Sequence, residues 1–216
     1  YYSWNKLSRK AHEAVGWIYF AAAWGSLLVI NGILTFMLTP GAWLETRGFW
    51  DGILNPTYLS SVVIRTAVAV ILAGVYGLLT ATRIKGDEET KTTLIKYNAK
   101  WTLSGFAALP IGGIWYVSQI PPLSRFISMG GTAAVTLFAA ATVFISAVIL
   151  LFVWLSPLKR PKEFTTTFAV LFMLMAFVVT GITEWTREAV RKPYVIYDYM
   201  YSNGILPEDG ERLNRE

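Results

Sequence analysis

The chain reads as an all-α integral membrane protein of about five transmembrane helices, and three observations predict this. Of its 216 residues 54% are hydrophobic and only 15% charged, with a mean hydropathy of +0.45; a soluble domain carries about a quarter charged residues. Apolar stretches of roughly 20 residues, the length that a hydrocarbon core of about 30 Å demands, recur between breaks marked by Pro, Gly and charge. Lys and Arg crowd into alternate breaks. Eleven lie before the first span, between the second and third, and between the fourth and fifth (Lys6, Arg9, Lys10, Arg83, Lys85, Lys91, Lys96, Lys100, Lys159, Arg160 and Lys162), whereas the two opposite loops hold one each, Arg47 and Arg125. The positive-inside rule then predicts a cytoplasmic N-terminus and places Glu188 at the outer, periplasmic face.

Residues 1–15 are expected to hold the interfacial exit of a preceding helix, Tyr1-Tyr2-Ser3-Trp4, and a cytoplasmic loop, so the polypeptide or a partner chain is expected to continue upstream. The membrane domain covers 16–193. Its first span, about 16–38, stops at Thr39-Pro40-Gly41, and a loop with Trp43, Phe49 and Trp50 follows, suited to the interface. The second, about 58–82, carries Ala69, Ala73, Gly77 and Ala81 at every fourth residue, a face on which another helix can come close. A polar connection from Lys85 to Lys96 leads to the third, about 101–117, where Pro110 and Gly112-Gly113 predict a kink or an opened backbone before Pro121-Pro122. The fourth, about 129–155, and the fifth, about 164–183, are joined by the basic hairpin Ser156 to Lys162. Residues 194–216, aromatic and then polar, are expected on the outer surface.

The absence of cysteine excludes disulfides, thiolate metal sites, iron–sulfur clusters and covalent CxxCH haem within these residues. The single histidine, His12, excludes a bis-histidine haem built by this chain alone. The net charge of +5 is spread over loops without an aromatic-interleaved basic patch, which argues against nucleic acid as a partner.

Charge returns after the fifth span in Glu184-Trp185-Thr186-Arg187-Glu188-Ala189-Val190-Arg191-Lys192-Pro193-Tyr194. If the helix continues, Glu184 and Glu188 share a face at i, i+4, with Arg191 and Lys192 next on it, and Pro193 ends it. Such a carboxylate between cations can be an anchor, a salt-bridged cap, or an anionic ligand and proton port. Arg65 lies about seven positions inside the second span, roughly 10 Å at 1.5 Å per residue. It either snorkels to the interface or pairs with a buried anion, a carboxylate on another helix or a haem propionate. His12, beside Lys10 and Glu13, reads as an interfacial titrating residue, and Met129 as packing or, in the less common case, a metal ligand.

Glu188-Ala189-Val190-Arg191-Lys192-Pro193-Tyr194 resembles the E-x-G-R-Q-P-W signature near the end of subunit I of cytochrome bd-type quinol oxidases. Asn31-Gly32, Thr39-Pro40-Gly41 and Asn55-Pro56 resemble the N-G, P-G and N-P landmarks around that family's fourth and fifth helices, and His12 to Trp17 the start of the fourth. The resemblance covers nearly the whole chain as the second half of such a subunit, closest to a divergent bd-like group through Gly16 to Phe20 and Tyr194 to Asn203. It implies that Glu188 is an axial ligand at a high-spin haem and that Arg191 supports it, on a haem propionate or on Glu188 itself. A carboxylate is a weak-field ligand that leaves iron high-spin.

The departures are equally definite. Val190, Lys192 and Tyr194 replace the Gly, Gln and Trp of the signature. The family's low-spin haem b uses a His that falls at Arg65 or Ile64 here, and a Met that Met129 matches within Phe126-Ile127-Ser128-Met129-Gly130. Only Gln119 to Ser128 stands where the quinol-binding loop should be. Low-spin haem b is therefore not expected. The resemblance implies a subunit of a bd-like oxidoreductase in the bacterial cytoplasmic membrane, passing electrons from quinol or cytochrome c to a high-spin haem of b or d type and on to O2. That haem would be shared with upstream sequence or a partner chain supplying His ligands. Cofactor-binding expectations fall on Glu188, Arg191, Arg65 and Met129. A haem-free membrane-anchor subunit of a redox complex is the alternative, and a broken-helix transporter a third reading.

Overall fold

The structure is a computed structural model that describes residues 6–191 and Glu208. Among them every regular element is helical: α1 (Arg9–Phe36), α2 (Trp43–Thr46), α3 (Phe49–Ile53), α4 (Tyr58–Ala81), α5 (Glu88–Gln119), α6 (Pro122–Phe126), α7 (Ala133–Val153) and α8 (Thr166–Arg191). A π turn, Ile127–Gly131, leads into α7, and a second, Trp154–Leu158, extends it. Four helices are long and apolar enough to cross a membrane: α1, α4, α7 with its extension, and α8. The chain is thus a multi-pass membrane protein, helical in its described residues.

Helix α5, the expected third span, falls outside those four because Thr102, Ser104, Pro110, Gly112-Gly113, Tyr116 and Ser118 dilute its apolar stretch. It begins at Glu88, inside the expected connection, because Asp87 caps it: Oδ1 accepts from the amides of Glu89 and Thr90 at 3.0 and 3.2 Å. Glu88 and Glu89 then sit in a first turn that favours negative charge. The helix runs on through Pro110 and Gly112-Gly113 to Gln119, so the expected opening of the backbone does not occur. Its partner explains why. Helix α4 packs along it, with Gly112 over Ile64 and Val63, Gly105 over Ile71, and Gly74 over Thr102. A Cβ at Gly105 would stand 2.6 Å from Ile71 Cγ1 and 2.7 Å from the carbonyl oxygen of Ala67, so only glycine permits this approach. The packing face of α4 is Ala67, Ile71, Gly74, Leu78 and Ala81; Ala69 and Ala73 of the expected stripe are exposed.

The other boundaries also move. Arg9 to Val15, read as loop, are the first turns of α1, where the Ser8 hydroxyl accepts from the Ala11 amide. Met129, read as the start of the fourth span, lies in the π turn ahead of α7, with φ −113° and ψ 34°. Helix α8 continues eight residues past Thr183. The apolar core gathers Ile71, Val75 and Leu78 of α4 with Ile95, Ala99 and Phe106 of α5, Ile149 and Val153 of α7, and Phe172 of α8.

At the end of α1 the three landmark pairs of the sequence meet in one buried polar knot. Asn31 Nδ2 donates to the Tyr58 carbonyl (3.0 Å) and its Oδ1 accepts from Ser61 (2.6 Å). Asn55 Nδ2 donates to Thr35 Oγ1 (2.9 Å) and to the carbonyls of Gly52 and Ile53, while its Oδ1 accepts from Thr39 and Thr57. Gly41, at φ +57°, lies where a Cβ would meet Pro56 Cδ at 2.9 Å. Buried polar groups that satisfy one another in this way fix the α1–α4 turn in one arrangement.

Candidate functional site

The last two turns of α8 carry the charge. Approaching them, Thr180, Thr183 and Thr186 donate their hydroxyls to the carbonyls of Ala176, Val179 and Ile182 at 2.7–2.8 Å, which satisfies polar side chains without leaving the helix. Glu184, Arg187, Glu188 and Arg191 then follow at i, i+3, i+4 and i+7, a spacing that lines them along one face.

They form a continuous chain of alternating sign. Arg187 is the hub, donating through Nε to Glu184 Oε2 and through Nη2 to Glu188 Oε1, both at 2.9 Å. Arg191 Nη2 donates to Glu188 Oε2, and its Nη1 lies against Met37 Sδ at the end of α1. At the other end Arg65, reaching across from α4, places Nη2 3.8 Å from Glu184 Oε1. The order is Arg65, Glu184, Arg187, Glu188, Arg191. Tyr116 of α5 feels the charges of Arg187, Arg65 and Glu184. Arg191 is the most deeply placed, its side chain 5% exposed, beside the buried Ser124 hydroxyl that donates to the Val190 carbonyl at 3.0 Å. Glu188 is more open, at 43%.

The expectations meet this geometry unevenly. Arg65 meets a carboxylate on another helix, Glu184, at 3.8 Å, but that carboxylate is half exposed and not the buried anion expected. Of the two supports considered for Arg191, the structure supplies Glu188 itself. Met129 takes no part in the chain; it sits in its π turn with 63% of its surface exposed. His12 lies at the opposite end of α1 from Met37, about 37 Å along the helix axis at 1.5 Å per residue. Lys192, Pro193 and Tyr194 of the signature, and the tail 194–216 apart from Glu208, fall outside the described residues. Sequence reading missed Tyr116, Met37 and Ser124, which come together only through packing. Arg187 had a visible signal, three residues after Glu184 and adjacent to Glu188.

A donor set emerges from this inventory. Among the described residues no group of three or more His, Cys, Asp or Glu could hold a metal ion. Glu188 offers an anionic carboxylate whose oxygens each accept from one arginine and each keep a second lone pair for a metal. That fits one ligand of a shared haem site and not a complete one. No family model, curated protein or solved structure matches this chain.

Proposed function

We propose that this chain is a subunit of a bd-like membrane respiratory oxidoreductase that passes electrons from quinol or cytochrome c to a high-spin haem and on to O2. The observation that carries the proposal is Glu188, a half-exposed carboxylate at the end of a membrane helix with an arginine on each oxygen, in the one segment that resembles the family's ligand signature. The same resemblance is supported by Asn31-Gly32, Pro40-Gly41 and Asn55-Pro56, which come together in a single knot beside it. In this reading the N-terminus is cytoplasmic, α5 is a fifth span beside α4, and Glu188 lies at the outer face of the bacterial cytoplasmic membrane.

The haem, when bound, supplies electron storage and the O2-binding site. The chain's own residues hold and orient. Glu188 would hold the haem iron through a carboxylate oxygen, while Arg191 anchors the carboxylate and Arg187 keeps it aligned by tying it to Glu184. His ligands come from upstream sequence or a partner chain. The test is a reduced-minus-oxidised optical spectrum with pyridine haemochrome quantification on the complex purified through this chain. High-spin b or d features that shift with carbon monoxide support the proposal; only c-type haem, or none, removes it.

A second reading is favoured by the closure of the ion chain, in which each Glu188 oxygen already has a guanidinium partner. The subunit is then a haem-free membrane anchor for redox partners, and the cluster a structural latch between α8, α4 and α1.

A further inference from the structure

Among the described residues the ion chain holds three arginines against two glutamates, and its longest pairing is at the Arg65 end. Arg187 and Arg191 each hold a carboxylate oxygen at hydrogen-bond distance. Arg65 does not. Its contact with Glu184 is 3.8 Å, the opposite oxygen of that carboxylate is taken by Arg187 at 2.9 Å, and Arg65 donates no hydrogen bond among the described residues. A guanidinium has five donors in a planar fork suited to two oxygens of one oxyanion. Leaving them unfilled inside a membrane helix is costly.

Three facts define what would fill them. The Arg65 side chain is 26% exposed, so the site opens to the surroundings of the bundle. It lies roughly 10 Å below the end of α4, from which a long cationic side chain reaches toward the headgroup level. Arg187, which holds the other oxygen of Glu184, flanks it and adds a second cation. We propose that Arg65, with Arg187, binds the phosphodiester of an anionic phospholipid in the leaflet next to the Arg191 end. The guanidinium fork of Arg65 takes two phosphate oxygens. Among the described residues a lipid of net charge −1 balances three arginines against two glutamates; a zwitterionic lipid does not. The site does not depend on haem at Glu188.

The test uses the purified, delipidated protein in neutral detergent, with phosphatidylglycerol, phosphatidylcholine or inorganic phosphate added, read by thermal unfolding and by lipid retention in native mass spectrometry. Phosphatidylglycerol is expected to raise Tm by several degrees and to be retained over phosphatidylcholine. Arg65→Gln should lose at least half of that increment and the preference, while Arg125→Gln keeps both. Equal responses of the wild type and Arg65→Gln to phosphatidylglycerol overturn the proposal. So does equal stabilisation by inorganic phosphate, which makes the site a free-oxyanion site. If Arg65→Gln does not fold, retention by the wild type decides: no preference for phosphatidylglycerol refutes the site. Because no haem signal is read, failure here leaves the oxidoreductase proposal standing, and the reverse also holds.

Discussion

Arg187 holds the site together, since it alone touches both glutamates of the ion chain. Its replacement by Met leaves Glu184 and Glu188 as like charges at i, i+4 beside a half-buried stretch, and the expected cost is about 1–2 kcal/mol. Arg9→Met, which breaks an exposed pair with Glu13, should cost about 0.5 kcal/mol or less. Chemical unfolding of the two variants in detergent checks the contrast, and equal losses would contradict the hub role. A second residue-scale prediction concerns Asp87. The Thr90 hydroxyl, then the Thr90 amide and the Glu89 amide, hold its carboxyl below the usual carboxylate range. Because the folded value is depressed, the cap's contribution is fully present above the unfolded value of about 3.9 and is lost as pH falls through the lower folded value. Protection of the Glu89 and Thr90 amides, relative to their intrinsic exchange rates, should fall in that acid window, and Asp87→Ala should remove that fall. At this scale the sequence offered the local pairing of Arg191 with Glu188 but not that of Arg65 with Glu184, because these two lie 119 positions apart and only the α4–α8 contact joins them.

The helices show why pattern reading succeeded for the spans and slipped at their edges. Apolar length alone marked α1, α4, α7 and α8, since the bilayer sets that length. The polar start of α5 was hidden because a capped helix outside the hydrocarbon needs no apolar face. The stripe on α4 slipped for a geometric reason: steps of four residues advance about 40° past a full turn, so Ala69 and Ala73 lie off the face that α5 covers while Gly77 and Ala81 reach it. The true face mixes steps of three and four. Gly105→Val should therefore force α4 and α5 apart and cost about 1–3 kcal/mol, while Gly113→Val, with nothing within 4 Å of a Cβ, should be near neutral. Matched thermal unfolding of the pair distinguishes the outcomes. In the knot, Asn55→Ala removes donors and acceptors that six partners share, and leaves buried hydroxyls unsatisfied. A loss of about 2–3 kcal/mol is expected, with faster exchange of the α1–α4 turn amides.

For the whole molecule, alternation of basic and neutral loops predicts that the start of α1, the α4–α5 loop and the α7–α8 turn share one side. The chain has no cysteine, so single-cysteine variants report this without background. Lys10→Cys and Lys162→Cys should label only from the cytoplasmic side, and Asp51→Cys only from the outside; the opposite pattern would invert the orientation. Function was less legible than fold. The bilayer imposes length and hydropathy on any span, but the haem site proposed here would draw one ligand, Glu188, from this chain and the others from elsewhere, so a single sequence cannot display it whole.

The most direct test of the oxidoreductase account is the carbon monoxide difference spectrum of the assembled complex with Glu188→Ala beside Glu184→Ala. The account predicts that Glu188→Ala abolishes or shifts the high-spin haem signal, while Glu184→Ala, which loosens Arg65 and Arg187 but removes no ligand, keeps it. An unchanged spectrum in Glu188→Ala would contradict the ligand role and leave the ion chain as a structural latch.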